Sequence, residues 1–201
     1  MILFSIFMQQ IGLFFYLICV ITKKPAERRT NEMERLVKRA MRKDTESFIQ
    51  LIEENRQSML KIAYGFFTEE EDVADVMQQT ILNAFEHIGE LRRTSYFKTW
   101  LLRILINNCN QMYNSKKQTV SEEQIVEYGK MDSYPVDNEF FRILSLLQPN
   151  DRVIFYLYFG EEYTTKEISR MLKVKESTIR SRIHRGKEQL RKHLHREEWA
   201  L

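Results

Sequence analysis

The stretch from Tyr163 to Leu194, YTTKEISRMLKVKESTIRSRIHRGKEQLRKHL, leaves little freedom in how it folds. Its apolar residues recur at helical spacing in two blocks separated by a short polar interval, which predicts two helices joined by a tight turn. The first helix runs near Thr165 to Leu172 and buries Ile168 and Leu172. A turn follows from Lys173 to Glu176, with Val174 as its apolar plug. Ser177 or Thr178 is expected to open the second helix, because a side-chain oxygen there can accept an orphan backbone N–H. On that helix Ile179, Ile183, Leu190 and Leu194 line one stripe. At ~100° per residue, Ser177, Ser181, His184 and Arg185 fall on the opposite face, with Thr178 and Arg180 at its edges. Two helices, a tight turn and a basic outer face make a helix-turn-helix whose second helix can enter a DNA major groove.

Charge separates this end from the rest. Tyr163–Arg196 holds eleven Lys/Arg and three Glu, a balance of 11 − 3 = +8, whereas the whole chain is +3, leaving the remainder at 3 − 8 = −5. A polyanion would therefore meet this end first. The rival reading is an ordinary amphipathic hairpin with a solvated basic face.

Composition narrows the class. With 29% charged and 43% hydrophobic residues, 201 residues suit one or two small globular domains. Six Gly and three Pro, with no Asn-Gly or Asp-Gly hairpin signal, point to an all-α chain. The two cysteines, Cys19 and Cys109, are far apart and no Cys/His cluster exists, so neither zinc nor a disulfide framework is indicated. His193 and His195 diverge on a helix and read as solvated. No phosphate-cradling GxxxxGK, no HExxH and no GxSxG is present. No catalytic residue, metal, cofactor or small-molecule substrate is expected.

Ahead of the helix-turn-helix the chain divides as follows. Residues 1–21, MILFSIFMQQIGLFFYLICVI, approach the length of a bilayer span. Gln9 and Gln10 interrupt the run, and no basic residue precedes it as a secretory signal requires. Lys23, Lys24, Arg28 and Arg29 follow, which would leave the rest in the cytoplasm if this were an anchor. From Thr45 a helix buries Phe48, Leu51, Ile52, Met59, Ile62 and Ala63. A second helix, near Glu70 to Ile88, has the core stripe Val73, Val76, Met77, Thr80, Ala84 and Ile88. Its opposite face carries Asp75, Gln79, Leu82 and Glu86, flanked by Asp72 and Gln78, and a Leu among polar neighbours suits a partner-binding face. Next, Arg92, Arg93, Ser95, Tyr96, Phe97 and Lys98 interleave aromatics with cations just before a helix, the mixture that single-stranded DNA wants. Phe97, Trp100, Leu101, Ile104 and Leu105 also read as that helix's core stripe. Gln118 to Asp137 is a polar, acidic linker with one helical turn at Glu122–Tyr128. Phe141, Leu144, Leu147, Val153, Ile154, Leu157 and Tyr158 then pack under the helix-turn-helix, with Pro149 breaking two helices.

Three motifs give these pieces a family resemblance. ISRMLKVKESTIRSRIHRGKEQL resembles region 4 of bacterial sigma factors of the extracytoplasmic-function group, with Thr178, Ile179, Arg180, Ser181, Arg182, Ile183, His184 and Arg185 in the Thr-hydrophobe-Lys/Arg-Ser-Arg-hydrophobe places. DVADVMQQTILNAF is similar to region 2.2, matching at Asp72, Asp75 and Gln78, with Ile81 where an aromatic is common. Phe97, Thr99, Trp100, Leu101, Ile104 and Asn107 meet the pattern Phe-x-Thr-Trp-Leu-x-x-Ile-x-x-Asn, whereas Gln111 and Asn114 depart from the family further on. MERLVKRAMRKDTESFIQLIEE from Met33 looks like the family's usual start, so the hydrophobic leader is read as an over-extended reading frame in preference to an anchor.

The resemblance implies two small helical domains joined by a flexible linker: an extension at 1–32, a region 2 bundle at 33–117, the linker at 118–137 and a region 4 helix-turn-helix domain at 138–201. It implies an RNA polymerase sigma factor of stress-response type, working in the cytoplasm with core polymerase (clamp and flap), promoter DNA and an anti-sigma partner. Ser177, Thr178, Arg180, Ser181, Arg182, His184 and Arg185 would read the −35 element. Arg92, Arg93, Ser95, Tyr96, Phe97, Lys98, Trp100 and Asn107 would take the melted −10 element. Asp72, Asp75, Gln78, Gln79 and Leu82 would bind polymerase. A stand-alone helix-turn-helix regulator and a membrane-anchored adaptor are the alternatives, and neither needs the DVADVMQQ and FKTWL motifs.

Overall fold

The computed structural model describes residues 26–119 and 143–198, with side chains described over 31–116 and 143–193. Among these residues the α-helices are, in order, α1 (Ala26–Ala40), α2 (Thr45–Phe66), α3 (Glu70–His87), α4 (Phe97–Thr119), α5 (Pro149–Phe155), α6 (Thr165–Leu172) and α7 (Glu176–Glu198), with residues 143–145 also helical ahead of α5. Short 3₁₀ turns at Ile88–Glu90 and Thr94–Tyr96 and a π turn at Tyr156–Gly160 complete the path, and no strand occurs among the described residues. The molecule is all-α.

The first four helices pack around α2, which touches α1, α3 and α4. Its buried side chains include Phe48, Leu51, Ile52, Met59, Ile62 and Ala63, the set its apolar spacing predicts. Val73, Val76, Met77, Thr80 and Ala84 face it from α3. Phe97, Leu101, Leu102, Leu105, Ile106 and Cys109 face it from α4. Each aliphatic or aromatic side chain so buried contributes about 1.5–3 kcal/mol. Local chemistry fixes the helix ends. Asp44 caps α2, accepting from the Ser47 backbone N–H and hydroxyl at 3.4 and 3.0 Å. Lys43, at a left-handed φ of 66°, donates its ammonium to the carbonyls of Phe85 and Glu86, which satisfies the C-terminus of α3.

Helix α1 buries Leu36, Val37 and Ala40, so a boundary at residue 32 falls inside a helix. The expected features at residues 1–21, the turn at Glu122–Tyr128, most of the linker, and Phe141 lie outside the described residues. Among the described residues no helix is long and apolar enough to cross a membrane.

In the second group Pro149 opens α5 at its first position, where its missing N–H costs nothing. Thr164 and Glu167 form a reciprocal capping box at the start of α6. Lys173 closes α6 in the left-handed conformation at φ 55°, and α7 follows. Two details differ from the sequence reading. Met171 is buried beside Ile168 while Leu172 is only half-buried, so the inward edge of this short helix lies one residue earlier. Helix α7 opens at Glu176: the Thr178 and Ile179 N–H groups already donate to the Lys175 carbonyl at 2.9 and 3.2 Å. Ser177 and Thr178 therefore belong to its first turn and do not cap it.

The two groups share one buried core. Val153, Ile154, Leu157, Ile168 and Ile183 belong to the same apolar cluster as Leu51, Met59 and Leu101. At Gly65 the two groups pack tightly: an added Cβ would sit 3.4 Å from Cγ2 of Val153.

Candidate nucleic-acid and partner interfaces

The outer face of α7 presents Ser177, Arg180, Ser181, His184 and Arg185 to solvent, while Ile179 and Ile183 hold the helix to the core. Near its start Glu176 accepts from the Thr165 hydroxyl at 2.7 Å and pairs with Arg180 at 2.7 Å. The Thr165 bond, then the Arg180 contact, hold the Glu176 carboxyl below its ordinary range. Arg180 is thereby steadied in the first turns of α7. The Ser181 hydroxyl turns back to the Ser177 carbonyl at 2.9 Å. Thr178 is half-buried. Arg182 departs from expectation. It is half-buried and reaches Asp151 on α5 at 3.4 Å, so it ties the recognition helix to its scaffold instead of joining the outer face.

The second set lies where the Thr94–Tyr96 turn enters α4. Arg92, Arg93 and Ser95 are exposed, and Tyr96 is 54% exposed with the Arg93 guanidinium 6.0 Å from its ring centre. That is a cation beside a flat ring open to a base. Phe97 does not belong here: at 2% exposure it packs beside Trp100 and closes the first core, so its ring is unavailable for stacking. Trp100 is half-buried and Asn107 is exposed on the same face of α4. Arg103, which the sequence reading missed, stands exposed between them. Its spacing of three from Trp100 and four from Asn107 was the available signal. Lys98 is engaged with Glu161 of the second group at 2.5 Å.

The third set is split by the structure. Gln78 and Leu82 line an open groove between α2 and α3, together with Arg56, Leu60, Tyr64, Met77 and Ile81, and Leu82 is 52% exposed at its rim. Asp75 and Gln79 stand exposed on the outer ridge of α3, where Gln79 donates to Asn83 at 2.8 Å. Asp72 is not available to a partner: its carboxylate, 14% exposed, is bound to Lys116 of α4. Behind the ridge Asn108 donates to the Thr80 hydroxyl at 3.0 Å, and that hydroxyl donates to the Val76 carbonyl at 2.7 Å, fastening α3 to α4.

Among the described residues no group of His, Cys, Asp and Glu could hold a metal ion. Cys109 is a buried free thiol whose ionisation burial pushes far up, so it is chemically quiet.

Comparison with known proteins matches both groups separately. Residues 51–119 match the family model described as Sigma-70 region 2, and residues 137–190 match that described as Sigma-70, region 4. Among curated proteins, the RNA polymerase sigma factor SigV of Bacillus subtilis (strain 168) is 24% identical over 151 residues, covering 73% of this chain and 90% of that protein. The ECF RNA polymerase sigma factor SigE of Mycolicibacterium smegmatis is 27% identical over 159 residues, covering 74% of this chain and 62% of that protein. Two solved structures share the fold. CnrH in complex with the cytosolic domain of CnrY has a TM-score of 0.60 at 21% identity, covering 81% of this chain and 96% of that one. The sigma factor RpoE in complex with the anti-sigma factor NepR from Bartonella quintana has a TM-score of 0.63 at 19% identity, covering 73% and 96%.

Proposed function

This chain belongs to the sigma-70 family, in its extracytoplasmic-function group, and from that premise we propose how its surfaces divide the work of starting transcription at a promoter. It is a sigma factor: it directs RNA polymerase, and the bond-making is the polymerase's own. Helix α7 enters the major groove of the −35 element with Arg180, Ser181, His184 and Arg185, where a bidentate arginine–guanine contact gives about 1–3 kcal/mol of discrimination. The loop at Arg92–Tyr96 and the outer face of α4 take the opened −10 strand, cations on phosphates and Tyr96 under an unstacked base. The groove beside α3 and the ridge of Asp75 and Gln79 receive core polymerase through its clamp, and the second group meets its flap. The protein works in the cytoplasm, where a second protein of anti-sigma type would compete for these faces.

The observation that carries this reading is the pairing, in one chain and in order, of a region 2 match and a region 4 match. Transcription by purified core polymerase on a promoter library tests it. Defined transcripts are expected only when this protein is added. Sequence-specific binding to duplex DNA without polymerase, and no transcript with it, would instead identify a stand-alone regulator.

A further inference from the structure

We infer that Glu176 is a positioning residue for specificity: tied to Thr165 across the turn, it fixes the direction in which Arg180 reaches its base pair. The tie rests on geometry alone, and its consequence rests on the reading above that α7 enters the −35 groove.

Thr165 is the first residue of α6 and Glu176 the first of α7. The Thr165 hydroxyl donates to Oε1 of Glu176 at 2.7 Å, eleven residues away across the turn. One turn further along α7, Nη2 of Arg180 donates to the same oxygen at 2.7 Å. A single carboxylate oxygen therefore joins the start of the first helix to a side chain on the outer face of the second. The carboxylate is well placed before Arg180 is considered. Its charge faces the positive end of α7, the Thr165 bond sets its direction, and a Glu four residues N-terminal to a cation is the favourable order. Arg180 stays 69% exposed in this arrangement. A pair so open adds little to stability; what it supplies is direction. Arg185 is the contrast. It is exposed on the same outer face, and no partner for it occurs among the described residues.

A guanidinium presents several N–H donors, so the one given to Glu176 leaves others for the O6 and N7 of a guanine. From one backbone position a loose arginine can settle on a neighbouring guanine or on a phosphate oxygen, and phosphate carries no sequence information. Glu176 competes with phosphate for Arg180 and holds it for a base edge. Its ordering is also complete before DNA arrives, so less is lost on binding. The tie therefore acts on discrimination at one base pair, more than on overall affinity.

The test has two readouts on the intact chain. In the free protein, nitrogen relaxation at arginine Nε reports how freely each side chain moves. Arg180 should be more ordered than Arg185. Glu176→Ala and Thr165→Val should each loosen Arg180 and leave Arg185 as it was. With core polymerase, transcription from promoters carrying every substitution through the −35 element gives a discrimination profile, and Arg180→Ala identifies the base pair that Arg180 reads. Glu176→Ala should reduce discrimination at that same pair about two- to tenfold, the scale of ordering one long side chain at an interface, and leave the other pairs unchanged. Thr165→Val should do the same in smaller measure, and Thr165→Ser, which keeps the hydroxyl, should behave as wild type. Arg180 as mobile as Arg185 in the wild type, or a Glu176→Ala profile identical to wild type, would overturn the inference. So would a loss at a different base pair, which would make Glu176 itself a reader of bases. An even loss at all pairs with a lowered thermal midpoint would also overturn it, in favour of a bond that serves folding alone. A flat wild-type profile alongside an ordered Arg180 would support the tie and count against the −35 reading.

Discussion

Arg182 of α7 reaches Asp151 of α5, its Nη1 3.4 Å from Oδ1, and so turns away from the outer face that Arg180 and Arg185 occupy. Three arginines within six residues thus have two different tasks. Arg180→Ala and Arg185→Ala should each remove most −35-dependent transcription, at about 1–3 kcal/mol of lost discrimination, with thermal unfolding near wild type. Arg182→Ala should cost less than about 1 kcal/mol of stability, as partly exposed pairs do, and should weaken all promoters mildly and alike. Run-off transcription and thermal denaturation of the three variants check this; a promoter-specific loss at Arg182 equal to that at Arg180 would place it on the bases.

Gly186 is buried on α7 where a Cβ would come within 2.5 Å of the Phe155 ring and 3.5 Å of Leu147. Gly186→Ala should overpack the separate small cluster of Leu144, Leu147 and Phe155 and destabilise by about 1–3 kcal/mol, visible as a midpoint lowered by several degrees. Gly89→Ala is the control, because its Cβ would meet only the Met41 carbonyl at 3.9 Å.

Leu82 and Asp75 should matter for polymerase and little for folding. Leu82→Asp at the groove rim and Asp75→Lys on the ridge are surface changes, within about 0.5 kcal/mol of stability. Each should lower competition against another sigma factor for core polymerase. Asp72→Asn, by contrast, loosens the Lys116 tie between α3 and α4 and should act through thermal stability. Unaltered competition by both Leu82→Asp and Asp75→Lys would remove this side of α3 from the polymerase interface.

The apolar stripes of α2 and α3 were legible because periodicity encodes which face is buried, and the helix-turn-helix was legible for the same reason. Phe97, Asp72 and Arg182 were misplaced because their surroundings come from elsewhere in the chain. Asp72 meets Lys116, 44 positions on, and Arg182 meets Asp151, 31 positions back. Phe97 belongs to both a loop motif and a helix stripe, and only packing decides between them. The seam at Gly65 and Glu161 had no periodic signal at all, since a single small residue and a single acid do not reveal what will lie against them.

Acid should weaken the tie at Glu161. A carboxyl held below its ordinary value of 4.5 adds stability above that value and loses it as pH falls through the depressed one. The difference in thermal midpoint between wild type and Glu161→Gln should therefore be flat from about pH 8 down to about pH 5 and shrink below about 4.5. A difference that grows on acidification would reverse the sign and place the charge in an unfavourable site.

The most direct measurement uses one promoter recovered from the library, with its two elements scrambled singly and together, transcribed by core polymerase with and without this protein. A sigma factor that reads both elements predicts transcript from the intact promoter only when the protein is present, sharp loss when either element is scrambled, and no site-specific DNA retention by the protein alone. Equal transcription from intact and scrambled promoters, or specific retention without polymerase, would contradict it.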